Sequence, residues 1–468
     1  MALTHDLAAR IVAANFDGIP EDAVIASKNA ILDTVGVILA GSTSGPTKAV
    51  TAASDVDKSG GPCLVMGGGF RTSMLDAALI NGTASHALDF DDCNNTLGGH
   101  PTVPIFPGLW AFGETMHASG RDIIEAYVIG VETECKFAQA VHFHHYEKGW
   151  HPTSTLGIFG AVAACSRLAK LDEEKTATAL AIATSMASGL KANFGTYTKP
   201  YHVGHCTRNG LLATRLAAEG LTANADAFEH KQGYLEVYNG AGTYDISRAL
   251  MGWGDPYDVV EPGIAVKMHP CCASTHPAID AILHMRKEHG LTLDNVASIK
   301  SWTHPRRLAH TNRPAPKTGF DGKFSVQYVI ARALQNGVIS LNDFSDEKVN
   351  EPEIQKFLAE KMLAEPHPTT RNDAKNVYFA ELTVETTDGR TLTHYIDAPV
   401  GRDRFHPLPD GALVGKFRDC AAQVLDKAAI SDVERMLLQL DEISDINEVS
   451  RRIEAGERPP GSRLASVA

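Results

Sequence analysis

Apolar residues recur with a helical period through the first two-thirds of this 468-residue chain. Pro20-Glu-Asp opens a stretch that runs to Ala40 and stops at Gly41, with acidic residues in the first turn as the helix dipole prefers. Gly157 to Leu171 and Glu174 to Leu190 are rich in alanine with few β-branched runs, and Arg208 to Glu219 is amphipathic and ends at Gly220. Small side chains at that density predict helices packed closely on other helices. Near Asp255 the pattern changes. Val296-Ala-Ser-Ile-Lys-Ser-Trp-Thr303 alternates like a strand. Val377 to Ile396 reads as a hairpin, with Phe379, Leu382, Val384, Leu392 and Tyr395 around a Thr-Asp-Gly-Arg turn. Phe324 to Gln335 and Asp346 to Ala364, between them, have a helical pattern. The predicted fold is a mainly α-helical large domain, residues 1–264 with 401–468, interrupted by a smaller α+β lid domain at 265–400. The helical pattern resumes at Leu413, and the last dozen residues, around Pro459-Pro460, predict a loose tail.

Charge and composition narrow the partners. A formal charge of −13 argues against nucleic acid or an anionic membrane surface. The 44% apolar content is ordinary for a soluble globular protein. No charged-then-apolar leader opens the sequence, and no apolar run is expected to reach the ~20 residues of a membrane span. Eight cysteines, scattered apart from Cys271-Cys272 and without a CxxC pair, predict a reducing, cytoplasmic setting.

The candidate chemistry is concentrated in five segments. His86-Ala-Leu-Asp-Phe-Asp-Asp-Cys93 holds three carboxylates in four positions and is followed by Gly98-Gly-His-Pro101. Like charges so close must be hydrogen-bonded, bind a cation, or keep one member protonated. The segment has no lysine, so it reads as a polar cleft rather than a solvated face. His151-Pro-Thr-Ser-Thr precedes an Ala-rich helix, and such a helix start suits a carboxylate. Lys199-Pro-Tyr-His-Val-Gly-His205 puts a lysine and two histidines in an expected loop ahead of a helix. Lys267-Met-His-Pro-Cys-Cys-Ala-Ser-Thr-His276 carries an ammonium, two imidazoles and two thiols at the proposed domain junction. Lys323-Phe-Ser-Val-Gln-Tyr328 by itself reads as core helix.

Other segments carry weaker signals. Gly60 to Gly69 lacks the endings of a phosphate or dinucleotide loop and reads as a turn between short elements. The Asp89, Asp91 and Asp92 cluster has no second acidic motif to complete a magnesium site. His142, His144 and His145 lack a matched metal pattern and read as a partly exposed loop. The inventory suits acid–base work at a C–H or C–O bond beside a carboxylate, without metal.

In order, His86-Ala-Leu-Asp-Phe-Asp-Asp, His100-Pro, Gly149-Trp-His-Pro-Thr-Ser, Thr198-Lys-Pro-Tyr-His-Val-Gly and Lys267 to His276 resemble the MmgE/PrpD family over residues 5–400. That family includes 2-methylcitrate dehydratase, cis-aconitate decarboxylase and iminodisuccinate epimerase. The resemblance implies a large helical domain with a smaller lid, a homodimer, a small-molecule carboxylate substrate and no organic cofactor. It also implies that Asp89, His100, His151, Lys199 and Lys267 line the active site. Two departures are visible. The spacing from Asp-Phe-Asp-Asp to His100 is one residue longer than in the decarboxylase. Cys272 stands where the decarboxylase and dehydratase have a histidine.

A thiol, with a reference pKa of about 8.5 against about 6.5 for imidazole, is the poorer proton donor to a leaving hydroxyl. The expectation is therefore proton removal and return α to a carboxylate, in an epimerase of the iminodisuccinate type. The alternative is a dehydratase of the 2-methylcitrate type, with a cis-aconitate-type decarboxylase behind it, and a helical scaffold or binding protein is the rival that is no enzyme. The expected catalytic groups are His151, Lys199, Asp89, His100 and Cys272. Lys267, His269, His276, Thr153, Ser154 and Tyr328 are expected to bind substrate.

Overall fold

In the computed structural model, which describes residues 2–56, 60–368, 377–403 and 405–459, the chain divides into two units. One takes the residues up to Val266 and those from Asp410 on; the other is Lys267–Pro409. The return falls at Asp410 rather than at 401. Residues just after 400 belong to the smaller unit, because the Val400 amide donates to Asp280 at 2.9 Å and the Arg402 guanidinium lies over the Tyr378 ring. The expected tail beyond Pro459 lies outside the described residues.

The larger unit is helical. Its longer helices before the insertion include Glu21–Gly41, Met74–His86, Phe106–Met116, Gly120–Val141, Gly157–Leu168 and Thr198–Ala218, and Ala412–Ala421, Lys427–Leu438 and Asn447–Gly456 follow it. Leu32, Ile38, Phe106, Trp110, Tyr127, Phe137 and Phe159 belong to one buried core. The cap chemistry is local: Ser119 and Asp122 form a reciprocal capping box at the start of Gly120–Val141. Contrary to expectation, Glu21–Gly41 is long and apolar enough, by length and composition, to cross a membrane. Most of it is buried in this core, and its Asp33 pairs with Lys416 at 2.7 Å. A buried ion pair to a later helix marks a core helix. Within Gly60 to Gly69, Cys63–Val65 is a strand and residues 66–69 form the turn that pairs it, antiparallel, with Phe70–Thr72.

Two helices of this unit approach at glycine. A Cβ on Gly82 would lie 2.9 Å from Gly204 Cα, and one on Gly204 would run into the Leu79 carbonyl and the Thr83 hydroxyl. The helix Thr198–Ala218 can therefore lie against Met74–His86 only while both positions lack a side chain. It also starts ten residues before Arg208, where the sequence pattern put its beginning. Pro200 sits in its first turn, where a missing N–H breaks no helical bond, so proline there marks a helix start rather than a loop.

The smaller unit is α+β. Its sheet runs Met362–Pro366, Val296–Thr303, Ala380–Thr386, Thr391–Ile396; the first pair is parallel and the others antiparallel. A bulge between Val296 and Ser298 shifts the register, so Val296, Ile299, Ser301 and Thr303 are buried on a strand whose simple alternation would not put them together. Ile279 and Ile282 of helix His276–His289 and Val329 and Ile330 of helix Val326–Asn336 pack with Leu382 and Val384. The helix expected over Asp346 to Ala364 is in fact Asp346–Val349 and Pro352–Lys361, followed directly by the strand Met362–Pro366. Pro352 restarts the helix at its own first turn.

Gly204→Ala tests the close helix approach. Overpacking of this kind costs roughly 1–3 kcal/mol, so the variant's urea midpoint should fall; an unchanged midpoint would show that the helices can separate freely.

Candidate functional site

Helix Met74–His86 is capped by Ser73, whose hydroxyl accepts the Asp76 amide, and it delivers His86 to the buried interior of the larger unit. Three residues on, Asp89 adopts φ +52°, a left-handed turn that aspartate tolerates better than most residues. Asp89, Asp91 and Asp92 are all buried, and each charge is handled differently. Asp89 Oδ1 accepts from Lys199 Nζ at 2.9 Å and lies 3.8 Å from His100 Nε2. Asp91 Oδ2 faces His86 Nδ1 at 2.8 Å and His100 Nδ1 at 2.9 Å. Asp92 accepts from the Thr102 hydroxyl and, at 3.4 Å, from its amide. The Thr102 oxygen is in turn 2.7 Å from the Tyr127 hydroxyl.

The protonation states follow. Burial pushes the Asp92 carboxyl up to about 8, with Asp33 and Asp91 adding to burial and the Thr102 hydrogen bond opposing it. Burial would raise Asp91 too, but the His100 and His86 imidazoles hold it well below the usual carboxylate range. Burial takes His86 down to about 4 despite the pull of Asp91. At neutral pH Asp92 is an acid, Asp91 a carboxylate and His86 a neutral ring. His86 Nε2 and Asp91 Oδ1 have no hydrogen-bond partner among the described residues.

His151 precedes the short helix Pro152–Thr155 and is buried. Its ring lies 5.6 Å from His86, stacked, and 4.9 Å from Phe194, edge-on. Burial first, then the neighbouring His86, Lys199, His202 and His100, push it well below its ordinary value, so it is neutral. Lys199 lies in the first turn of Thr198–Ala218, and His202, one turn later, puts its Nδ1 3.2 Å from His151 Nδ1. His202 was not among the expected site residues. Its spacing of three from Lys199 would have revealed it had that segment been read as helix.

Several expected contacts are committed elsewhere. The Thr153 hydroxyl accepts the His100 amide at 3.1 Å. The Ser154 hydroxyl donates to the Ser188 and His202 carbonyls at 2.6 and 2.9 Å. The Ser154 and Thr155 amides both turn back to the His151 carbonyl, and Pro152 has no N–H, so this helix start is not an open anion cradle. His145 is no exposed loop residue: it sits in helix His144–Lys148, buried between Asn239 Oδ1 at 3.0 Å and Thr155 Oγ1 at 2.8 Å.

In the smaller unit, Lys267 is buried and Cys272 is half-buried, its amide on the Lys323 carbonyl at 3.0 Å. His269 Nε2 is 2.9 Å from Asp280, and His276 Nε2 is 3.2 Å from the Cys271 carbonyl. Tyr328 is a core residue and not a substrate contact, because its hydroxyl donates to the Asp343 carbonyl and accepts from Arg332 Nε at 3.1 Å.

His86, Asp89, Asp91 and His100 each offer a possible ligand atom, all within 4.8 Å of one another. The Lys199 ammonium and the imidazoles already oppose these carboxylates, and the set reads first as a charge-compensated acid–base network.

The comparisons agree with this architecture. The MmgE/PrpD N-terminal domain matches residues 5–247 and the MmgE/PrpD C-terminal domain matches residues 269–441. The chain belongs to the MmgE/PrpD family. It is 28% identical to the cis-aconitate decarboxylase of Mus musculus, over 100% of this chain and 96% of that protein. With the cis-aconitate decarboxylase of Homo sapiens it shares 29%, over 98% and 96%. It is 22% identical to the mitochondrial 2-methylcitrate dehydratase of Yarrowia lipolytica, over 82% and 78%. These relatives carry lyase names, which lend the epimerase expectation no support.

Asp92 gives a signed pH prediction. Its carboxyl, at about 8 in the fold, binds a proton more tightly than in the unfolded chain, so its contribution is full below about pH 4. That contribution is lost as pH rises to about 8. Asp92→Asn removes this term, so the melting temperature of the parent chain should fall relative to the variant between pH 5 and 9. Parallel profiles would show that Asp92 is ionised throughout.

Proposed function

We propose that this protein is a lyase that moves a proton at a carbon α to a carboxylate of a small tricarboxylate, with loss of CO2 or water. The observation that carries the reading is the neutral, buried His151 beside the Lys199–Asp89–His100–Asp91–His86 network. A neutral imidazole can act as base, while the ammonium of Lys199 and the imidazole of His100 can attract a carboxylate or return a proton. In dehydration, His151 takes the α-proton and the β-hydroxyl leaves with a proton from the opposing acid. In decarboxylation of an unsaturated tricarboxylate, the C–CO2 bonding pair forms a new double bond. The old double-bond pair then collects a proton from that acid.

Cis-aconitate is the first substrate to try, because decarboxylases of that name align along nearly the whole of this chain. The reading moves away from the epimerase that Cys272 suggested, since no named relative supports that assignment. A reducing, cytoplasmic setting belongs to the same proposal and is supported by eight cysteines that are scattered, apart from Cys271-Cys272, without a CxxC pair.

The test is proton NMR in D2O with cis-aconitate and 2-methylcitrate, chelator present. A new alkene or a water adduct, with deuterium at one α-carbon, supports the lyase. Inverted configuration with deuterium and no alkene would make it an epimerase, and no exchange with any acid would overturn the substrate class. Turnover should survive the chelator; its loss would show that a cation is required, with the His86, Asp89, Asp91 and His100 set as the candidate to hold it.

His151→Gln should lower kcat by about 10²-fold or more with little change in KM, as expected for a group acting in the transition state. Near-normal turnover would remove His151 from the chemistry.

A further inference from the structure

We infer that His202 is a positioning residue that sets which nitrogen of His151 carries its hydrogen. The two Nδ1 atoms are 3.2 Å apart, and both rings are buried. Only one hydrogen fits between them, so one ring donates and the other accepts. Burial, helped by His205 and Lys199, takes His202 down to about 4, and His151 is lower than usual as well, so the pair is neutral.

The backbone holds this geometry from both sides. Ser154 ties the two residues: its amide donates to the His151 carbonyl at 2.9 Å and its hydroxyl to the His202 carbonyl at 2.9 Å. The His151 amide donates to the Gly189 carbonyl at 3.0 Å. A Cβ on Gly189, where φ is +135°, would lie 3.4 Å from both His151 Cβ and His202 Cγ. The rings have little freedom to part.

The direction of the bond follows from the base role proposed for His151, on which this inference rests. A base must present a lone pair at Nε2, so its hydrogen sits on Nδ1 and the His202 Nδ1 accepts it. In serine hydrolase triads a carboxylate fixes the histidine tautomer in this way. A carboxylate here would also add negative charge beside an anionic substrate. A neutral imidazole fixes the same tautomer without that charge. Lys199, His86 and His100 act on His151, and Lys199 and His205 act on His202; in their charged forms each discourages protonation of the pair.

The experiment is long-range proton–nitrogen NMR of the full chain labelled in histidine, with His151→Asn used only to identify the His151 signals. The wild-type ring should carry its hydrogen on Nδ1. In His202→Phe the hydrogen should shift toward Nε2, and kcat should fall by roughly 10²-fold while KM moves little. His202→Asn, whose amide oxygen can take the acceptor's place, should recover kcat to within about tenfold of wild type. A wild-type His151 protonated on Nε2, or a His202→Phe enzyme with unchanged kcat, would overturn the inference. The tautomer needs no substrate to be read. If no acid is turned over, the proposed function falls alone while the spectrum still decides His202. If His202→Phe does not fold, the wild-type and His202→Asn spectra decide it.

Discussion

Three carboxylates buried within four residues are the constraint on which the larger unit depends. Unpaired, each would cost several kcal/mol, and together they would repel. The fold answers with three different devices: an ammonium on Asp89, two imidazoles on Asp91, and a retained proton on Asp92 held against Thr102. The partner of Asp89 comes from a distant part of the chain, whereas His86, His100 and Thr102 are near in sequence and a further lysine holds the segment's backbone. Lys199 comes from another helix, His100 from the following loop, and Lys416 from a helix after the insertion. Lys416 donates to the Phe90 carbonyl at 2.7 Å and pairs with Asp33. The acidic segment can be buried only once these elements are assembled, so the site is a consequence of the whole helical unit.

Close backbone approach makes that assembly possible. Gly82 and Gly204 let the Met74–His86 and Thr198–Ala218 helices touch, and the contact lies near the ends that carry His86 and Lys199. Beyond that contact Lys199 Nζ reaches Asp89, three residues past His86, at 2.9 Å. Ser154 does similar work at the histidine pair, through backbone carbonyls rather than through substrate.

Much of this was legible in the sequence, where local chemistry and spacing agree. Each segment is visible by its local chemistry, the resemblance groups Asp89, His100, His151 and Lys199 with Lys267, and the structure brings the first four together in the larger unit. The helical body and the alternating strand Val296–Thr303 were equally clear. The misses share a physical cause: tertiary packing that no local window records. The Lys199 segment, with its proline and glycine, reads as a loop, yet the proline opens the helix and Gly204 makes room for its neighbour. Met362-Leu363-Ala364 continues a helical pattern, and only pairing with Val296–Thr303 makes it a strand. Thr153, Ser154 and Tyr328 have hydroxyls that could face a ligand, and their true partners are backbone groups and Arg332, distant or unremarkable in sequence.

The proton on Asp92 also bears on what the site can admit. Two unit charges 8 Å apart interact by roughly 2 kcal/mol at an effective dielectric of 20. An ionised Asp92 would therefore oppose an entering anion, the proposed substrate included, even from that distance, and its neutral form removes the term. The same economy governs the histidines. Neutral His86, His151 and His202 leave Lys199 as the nearby ammonium, so its charge is shared between Asp89 and whatever anion arrives. A substrate carboxylate that drew Lys199 partly away from Asp89 would leave Asp89 leaning on His100, 3.8 Å away. In the proposed reaction, binding and proton supply are then linked through one carboxylate, because Lys199 and His100 both face Asp89.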